Sequence, residues 1–344
     1  MSLNRNQFIQ ALSMASLTMW LSEPNNSEQA TLDTKRPIKP KALKKNSKIG
    51  LVSPASPVYD PKDFDEMLKK VDSLGYDWVL GNHAKDRRGY LAGTDKDRAE
   101  DLMDMFKNPE IDAILCIRGG WGCNRILPHM DFDVIRNHPK ILCGFSDITS
   151  LHLSIWKKCN MHTFQGPVGT SSWNNYTEQN FRDVISKGEQ VVYLPEKNEQ
   201  NEYTHTIISM GTTDGILLGG NLTVLCSLLG TEFMPDFKGA ILYLEDVGED
   251  IYRVDRMLTQ LKLSGILNDI TGFVFGKCTN CDAGSNSLSL EQVFDDHIKP
   301  LGIPAFYGAL ISHEADNSTI PVGIHARMDA QKGSIELLER PVLI

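Results

Sequence analysis

No stretch of this 344-residue chain reaches the ~20 consecutive apolar residues with which a helix crosses a bilayer. Positive charge is not in excess either: 35 Lys and Arg stand against 44 Asp and Glu, a formal net charge of −9. That balance gives no attraction for nucleic acid or for an anionic membrane surface. The zinc-peptidase pattern H-E-x-x-H is missing, and the glycine-rich stretches match neither G-x-G-x-x-G nor G-x-x-x-x-G-K-[ST]. Internal repeats and low-complexity tracts are also missing. Cysteine is sparse and odd in number, seven in all, so at least one thiol has no internal partner. The pair Cys278 and Cys281 forms a lone C-x-x-C with no second pair to complete a zinc site. Cys116 and Cys143 lie within apparent strands, and free buried thiols suit a reducing compartment. Neither a metal nor a cofactor is expected.

What remains is ordinary globular composition, 41% hydrophobic and 23% charged, with length for one large domain or two. Arg5, the mostly apolar run 8–21 and the polar stretch 24–30 follow the layout of an export signal. Gln10, Ser13 and Ser16 dilute the run, so an amphipathic helix packed on the domain is the alternative. The compartment therefore stays open between cytoplasmic and exported. Residues 1–45 are read as an extension and linker, ending in a segment that holds Pro37 and Pro40.

From Lys48 the pattern turns regular. Lys48-Ile49-Gly50-Leu51-Val52 is a short apolar run closed by Ser53-Pro54-Ala55-Ser56, a buried strand and its loop. Phe64, Met67, Leu68, Val71 and Leu74 recur at helical spacing up to Gly75. Further strands are predicted over 77–80, 111–117 and 141–143, with a helix over 95–106. Continuous apolar strands alternating with helices indicate an α/β fold with a parallel sheet covered on both faces, which collects its chemistry at the carboxyl ends of its strands. Residues 46–170 are assigned to this domain. From 171 to 211 the pattern fades into a polar connection of limited structure. A second domain over 212–344 opens with Gly215 to Asn221 and an apolar helix over 222–229. A strand over 240–244 then ends at Glu245-Asp246, with a helix over 251–263 and a strand over 273–275 beyond.

Ser146 in Gly-Phe-Ser-Asp-Ile sits between a strand and a helix, where a tight turn projects the hydroxyl above the sheet edge. The backbone N–H groups after it face the same way, toward a developing negative charge. The second glycine of G-x-S-x-G is absent, and helix capping by Ser146 or Asp147 is the bland alternative. Arg118-Gly119-Gly120-Trp121-Gly122 also follows a strand, and its glycines let backbone N–H groups approach a substrate. A serine needs a base to attack an amide at neutral pH, and His313, in a polar loop before a strand, is the candidate. Glu245 is placed to orient that imidazole, with Asp246 and Glu249 as competitors.

Together these motifs resemble those of the LD-carboxypeptidases, or muramoyltetrapeptide carboxypeptidases. The similarity begins with the opening strand Lys48–Ser56 and Leu91-Ala92-Gly93-Thr94-Asp95 with Arg98. It continues through the glycine loop 118–122 with Arg125, and Gly144-Phe145-Ser146-Asp147-Ile148-Thr149. Gly219-Gly220-Asn221-Leu222, Leu244-Glu245-Asp246-Val247-Gly248-Glu249 with Tyr252, Arg253 and Arg256, and the loop around His313 complete it. The resemblance runs from about Lys44 to the C-terminus and implies a flavodoxin-like parallel-sheet domain followed by a β-rich α/β domain. It implies a Ser146–Glu245–His313 triad. On that frame, backbone N–H groups of Gly120 and Asp147 are expected as the oxyanion hole, and Gly119, Trp121 and Asn221 as substrate-binding residues. His313 should then reach Ser146, while Asp246 points elsewhere. The implied substrate is murein tetrapeptide, losing its terminal D-Ala, and a homodimer is expected. A branch of the same family instead hydrolyses microcin C-type aminoacyl nucleotides. The chain departs from the family at Gln165-Gly166-Pro167, where His-Gly-Pro is common. An esterase and a non-catalytic peptide receptor are the remaining alternatives.

Overall fold

The computed structural model describes residues 36–344, so the export-signal reading of the N-terminal segment lies outside the described residues. The apolar runs of the first half become strands: β1 (Lys48–Val52), β2 (Asp77–Leu80), β3 (Ala113–Cys116), β4 (Ile141–Gly144) and β5 (Thr163–Gln165). All five pair in parallel, and β12 (Ile320–Val322) joins antiparallel at the edge, giving the order β12-β5-β4-β3-β1-β2. β3 and β4 are buried throughout because helices cover both faces, which is why neither shows polar alternation.

The helices form where the spacing places them. Pro61–Ser73 begins with Pro at its first turn and with Asp60 as cap, whose carboxylate accepts from Lys62 N, and it buries Phe64, Met67 and Val71. Asp95–Lys107 is capped by Thr94 and buries Leu102, Met103 and Phe106. Burial of each such side chain contributes roughly 1.5–3 kcal/mol. The same helix delivers the buried Arg98, whose guanidinium donates to Pro54 O, to Gly122 O at 2.9 Å and to Asp95 Oδ1 at 2.6 Å. The loops after β1 and β3 are thereby tied together at the carboxyl edge of the sheet.

The second sheet contains β6 (Val192–Tyr193), β7 (Thr206–Ser209), β8 (Thr212–Asn221), β9 (Ala240–Val247), β10 (Gly272–Thr279), β11 (Ala305–Tyr307), β13 (His325–Asp329) and β14 (Ser334–Leu337). Its order is β6-β14-β13-β8-β9-β10-β11-β7, parallel through β8, β9, β10 and β11 and antiparallel elsewhere. The two sheets share chain: β12 follows the loop that holds His313, yet it pairs with β5, Ile320 opposite Gln165. Asn221 N, at the end of β8, donates to Thr149 Oγ1 at 3.0 Å, a second cross-link.

Some readings of the sequence change here, and others are filled in. Residues 171–211 are not a loose connection: they hold the helix Asn175–Phe181 and the strands β6 and β7. Polar side chains of the first part, Ser172, Asn174, Tyr176 and Thr177, bond to residues 315–318, whereas most polar residues from Lys187 to Thr206 face solvent. β9 continues past Glu245 to Val247, because β10 supplies ladder partners as far as Thr279. Cys278 and Cys281 are joined as a disulfide, while Cys116, Cys123, Cys143, Cys159 and Cys226 are free and buried.

Candidate active site

Ser146 takes φ +63°, a left-handed conformation that costs a residue with a Cβ about 1–3 kcal/mol. It is held there because β4 ends at Gly144 and the 3₁₀ turn Ser146–Ile148 begins immediately, closed by Ile148 N donating to Phe145 O at 3.3 Å. The side chain of Asp147 is fully buried and accepts from Cys123 N at 2.7 Å, which fastens the turn to the glycine loop. Burial raises the pKa of Asp147, and the Cys123 hydrogen bond opposes that rise.

Gly119 must be glycine: a Cβ there would stand 2.9 Å from Ser146 Cβ and 3.3 Å from its Oγ. Gly120, at φ +113°, is backed by Ser56, whose Oγ would lie 2.4 Å from an added Cβ and accepts from Trp121 N at 3.1 Å. The N–H groups of Gly120 and Asp147 donate to no protein acceptor among the described residues. The Trp121 side chain is 44% exposed.

Successive residues of β9 point to opposite faces. Glu245 is fully buried, and its Oε2 accepts from His313 Nδ1 at 2.7 Å. Asp246 turns the other way and accepts from Asn221 Nδ2 at 3.0 Å, Thr223 N at 3.0 Å, Thr223 Oγ1 at 2.8 Å and Val247 N at 2.9 Å. Asn221 also caps the helix Leu222–Ser227 by accepting from Val224 N at 3.1 Å, so both ends of its carboxamide are used within the protein. Burial and the neighbouring charge of Glu245 lift the Asp246 pKa to about 6.

With Nδ1 as the donor to Glu245, His313 keeps Nε2 as its accepting nitrogen. Burial of the imidazole works against protonation, but the hydrogen bond and charge of Glu245, with Asp246 behind it, outweigh that effect and raise the His313 pKa. The ring edge-packs on Phe145 at 4.9 Å between centroids, which sets it beside the turn that carries Ser146. Among the described residues Ser146 Oγ and the imidazole share no direct hydrogen bond; such contacts are often long in unliganded sites.

A cleft of about 290 Å³ opens at His313, walled by Phe145, Val168, Thr170, Ser171 and Asn317 among others. Its wall is built by hydrogen bonds between two polar segments: Ser172 Oγ and Thr177 Oγ1 both donate to Ala315 O, and Asn317 N donates to Thr177 Oγ1. Glu314 is bound by Lys277 Nζ at 2.7 Å, and the same ammonium holds Glu196 at 2.9 Å. Sequence reasoning missed Ser56, the side chain of Asp147 and this wall. The only advance signal was position, since Ser56 and Thr170 lie in loops at the carboxyl edge of the first sheet.

The fold and cleft define a class: an α/β protein in which a strained serine at a strand end lies beside a half-buried histidine bonded to a buried carboxylate from a second sheet. The model of the LD-carboxypeptidase N-terminal domain matches residues 49–166, and that of the C-terminal domain matches residues 214–328. The chain belongs to the LD-carboxypeptidase family of peptidases. A probable murein peptide carboxypeptidase of Bacillus subtilis is 40% identical over 305 residues, covering 86% of this chain and 93% of its own. The muramoyltetrapeptide carboxypeptidase of Oxalobacter formigenes aligns with a TM-score of 0.74 at 28% identity, over 85% of this chain and 98% of its own. The microcin C7 self-immunity protein MccF in its wild-type apo state aligns with a TM-score of 0.82 at 25% identity, over 89% of this chain and 100% of its own.

Proposed function

We propose that this chain is a serine-type LD-carboxypeptidase that releases the terminal D-Ala of murein tetrapeptide. The observation that carries the reading is the 2.7 Å bond between His313 Nδ1 and the buried Glu245, set beside a serine at φ +63°. A fixed carboxylate holds the imidazole in the tautomer whose Nε2 can accept a proton.

In the proposed reaction His313 Nε2 takes the proton of Ser146 as Oγ attacks the scissile carbonyl. Glu245 stabilises the imidazolium that forms. The N–H groups of Gly120 and Asp147 receive the oxyanion, being fixed before the reaction and otherwise unpaired. His313 then protonates the departing amine of D-Ala. Water, activated by the same imidazole, releases the acyl group from Ser146. Gly119 and Trp121 border the path of the substrate, whereas Asn221, with both ends of its carboxamide bound within the protein, ties the acid strand to the helix Thr149–Cys159 instead of meeting substrate. The experiment is incubation with tetrapeptide murein fragments, with free D-Ala measured against time.

A second reading, hydrolysis of a microcin C-type aminoacyl nucleotide, is favoured by the higher TM-score to MccF, 0.82 against 0.74. Assaying both substrates side by side separates the two, and the first reading requires the larger kcat/KM on tetrapeptide. A homodimer is part of the proposal and is checked by light scattering on the purified chain.

A further inference from the structure

An exopeptidase must read the free end of its substrate, and for a carboxypeptidase that end is a carboxylate. Taking a carboxylate out of water is costly unless a cation or convergent N–H groups meet it. Most cations around the candidate cleft are already committed. Arg98 is bound to Asp95, Pro54 O and Gly122 O. Arg125 is bidentate on the same Asp95, through Nε at 2.9 Å and Nη2 at 2.8 Å. Lys277 is neutralised between Glu196 and Glu314.

Arg118 is different. It is half-buried, and among the described residues no carboxylate lies within ion-pair distance of it. Its guanidinium has one long hydrogen bond, Nη1 to Pro57 O at 3.4 Å, and lies 5.5 Å from the Tyr59 ring centroid. Those contacts orient the plane of the group and leave most of its five N–H donors unspent. Its position is equally specific. Arg118 leaves the carboxyl end of β3 one residue before Gly119, which packs on Ser146. It lines a groove of about 350 Å³ with Val58 and Thr170, and Thr170 also borders the cleft at His313. The same groove is also lined by Asp63, Glu66 and Lys70 of the helix Pro61–Ser73.

We propose that Arg118 binds the C-terminal carboxylate of the substrate and so restricts hydrolysis to the last residue. The proposal rests on the LD-carboxypeptidase reading of Ser146. The leaving D-Ala spans one residue, about 3.5 Å of chain, between the scissile nitrogen and its carboxylate. That matches a cation one position removed from the glycine that touches the nucleophile. A planar fork recognises a carboxylate through two parallel hydrogen bonds, which a lysine cannot reproduce.

The test compares two substrates, a tetrapeptide ending in D-Ala and the same peptide ending in D-alaninamide. Kcat and KM are measured for the wild type, Arg118→Met and Arg118→Lys. The wild type is expected to prefer the free acid. Arg118→Met should lose on the order of 100-fold in kcat/KM on the acid, chiefly through KM, and only a few-fold on the amide, so the preference collapses. Arg118→Lys should retain part of the preference. If Arg118→Met leaves the acid-to-amide ratio unchanged, the assignment is overturned. It is overturned equally if activity on both substrates falls together, because Arg118 then supports the scaffold or reads another carboxylate of the peptide. Should Arg118→Met fail to fold, an unchanged ratio in Arg118→Lys overturns it and a reduced ratio supports it. A wild type that cleaves neither peptide overturns the LD-carboxypeptidase reading and this proposal with it, whereas an unchanged ratio with active wild type removes only the role of Arg118.

Discussion

Ser146 is placed by backbone: a strand that stops, a 3₁₀ turn, a left-handed φ, and a glycine so close that no side chain fits between them. Glu245 and His313 are placed by side chains, through one bond between them and a set of four that pins the adjacent Asp246. One half of the site is stiff because peptide geometry allows little else. The other is stiff only while its hydrogen-bond partners are all present. Losses should therefore be local and chemical in the first half, and shared between chemistry and stability in the second.

Deleting the proposed nucleophile is the sharpest way to break that contrast. Ser146→Ala should lower kcat by roughly 10⁴-fold or more, with thermal unfolding unchanged or slightly raised. Glu245→Gln comes next. It keeps the shape of the acid but removes its charge, and should cost on the order of 10³-fold in kcat. The pH profile checks the cause. In the proposed reaction His313 must be neutral to act as the base, and its pKa is raised, so kcat/KM should fall on the acid side along a limb above the ordinary imidazole value of about 6.5. Loss of the Glu245 charge should move that limb to lower pH.

These two substitutions also mark what could be read from the amino acids alone. Ser146 was legible because Ile141 to Cys143 is a continuous apolar run and the polar turn follows at once. Glu245 was legible as a carboxylate at the end of another apolar run. Their proposed partnership with His313 was not, since that residue lies in a polar loop held by bonds from Ser172, Thr177 and Lys277 and by β12, which is three residues long and pairs with β5. The family resemblance supplied that link. The cleft wall was hidden for a related reason: Ser172, Thr177 and Ala315 are joined by hydrogen bonds between distant polar segments, and such bonds leave no periodic trace in sequence.

Smaller effects sharpen the comparison. Asp246→Asn places an amide N–H₂ against donors from Thr223, Asn221 or Val247, and should destabilise the protein by about 1–3 kcal/mol in denaturant titration. Its effect on kcat should be no more than a few-fold, with a slight acid-ward shift of the His313 limb because its charge also supports the imidazolium. Ser146→Gly should abolish activity while stabilising the fold by ~1 kcal/mol, since glycine adopts the positive φ without strain. A serine placed by side-chain contacts rather than by backbone would show no such gain.

The central claim is that Ser146, activated across the two sheets by His313 and Glu245, cleaves the last amide of a murein tetrapeptide. Its most direct test is the rate of D-Ala release from purified tetrapeptide by the wild type and by Ser146→Ala, each shown to be folded by circular dichroism. The account predicts steady release by the wild type and a loss of at least about 10⁴-fold in the variant. Release by Ser146→Ala at a rate near that of the wild type would contradict it.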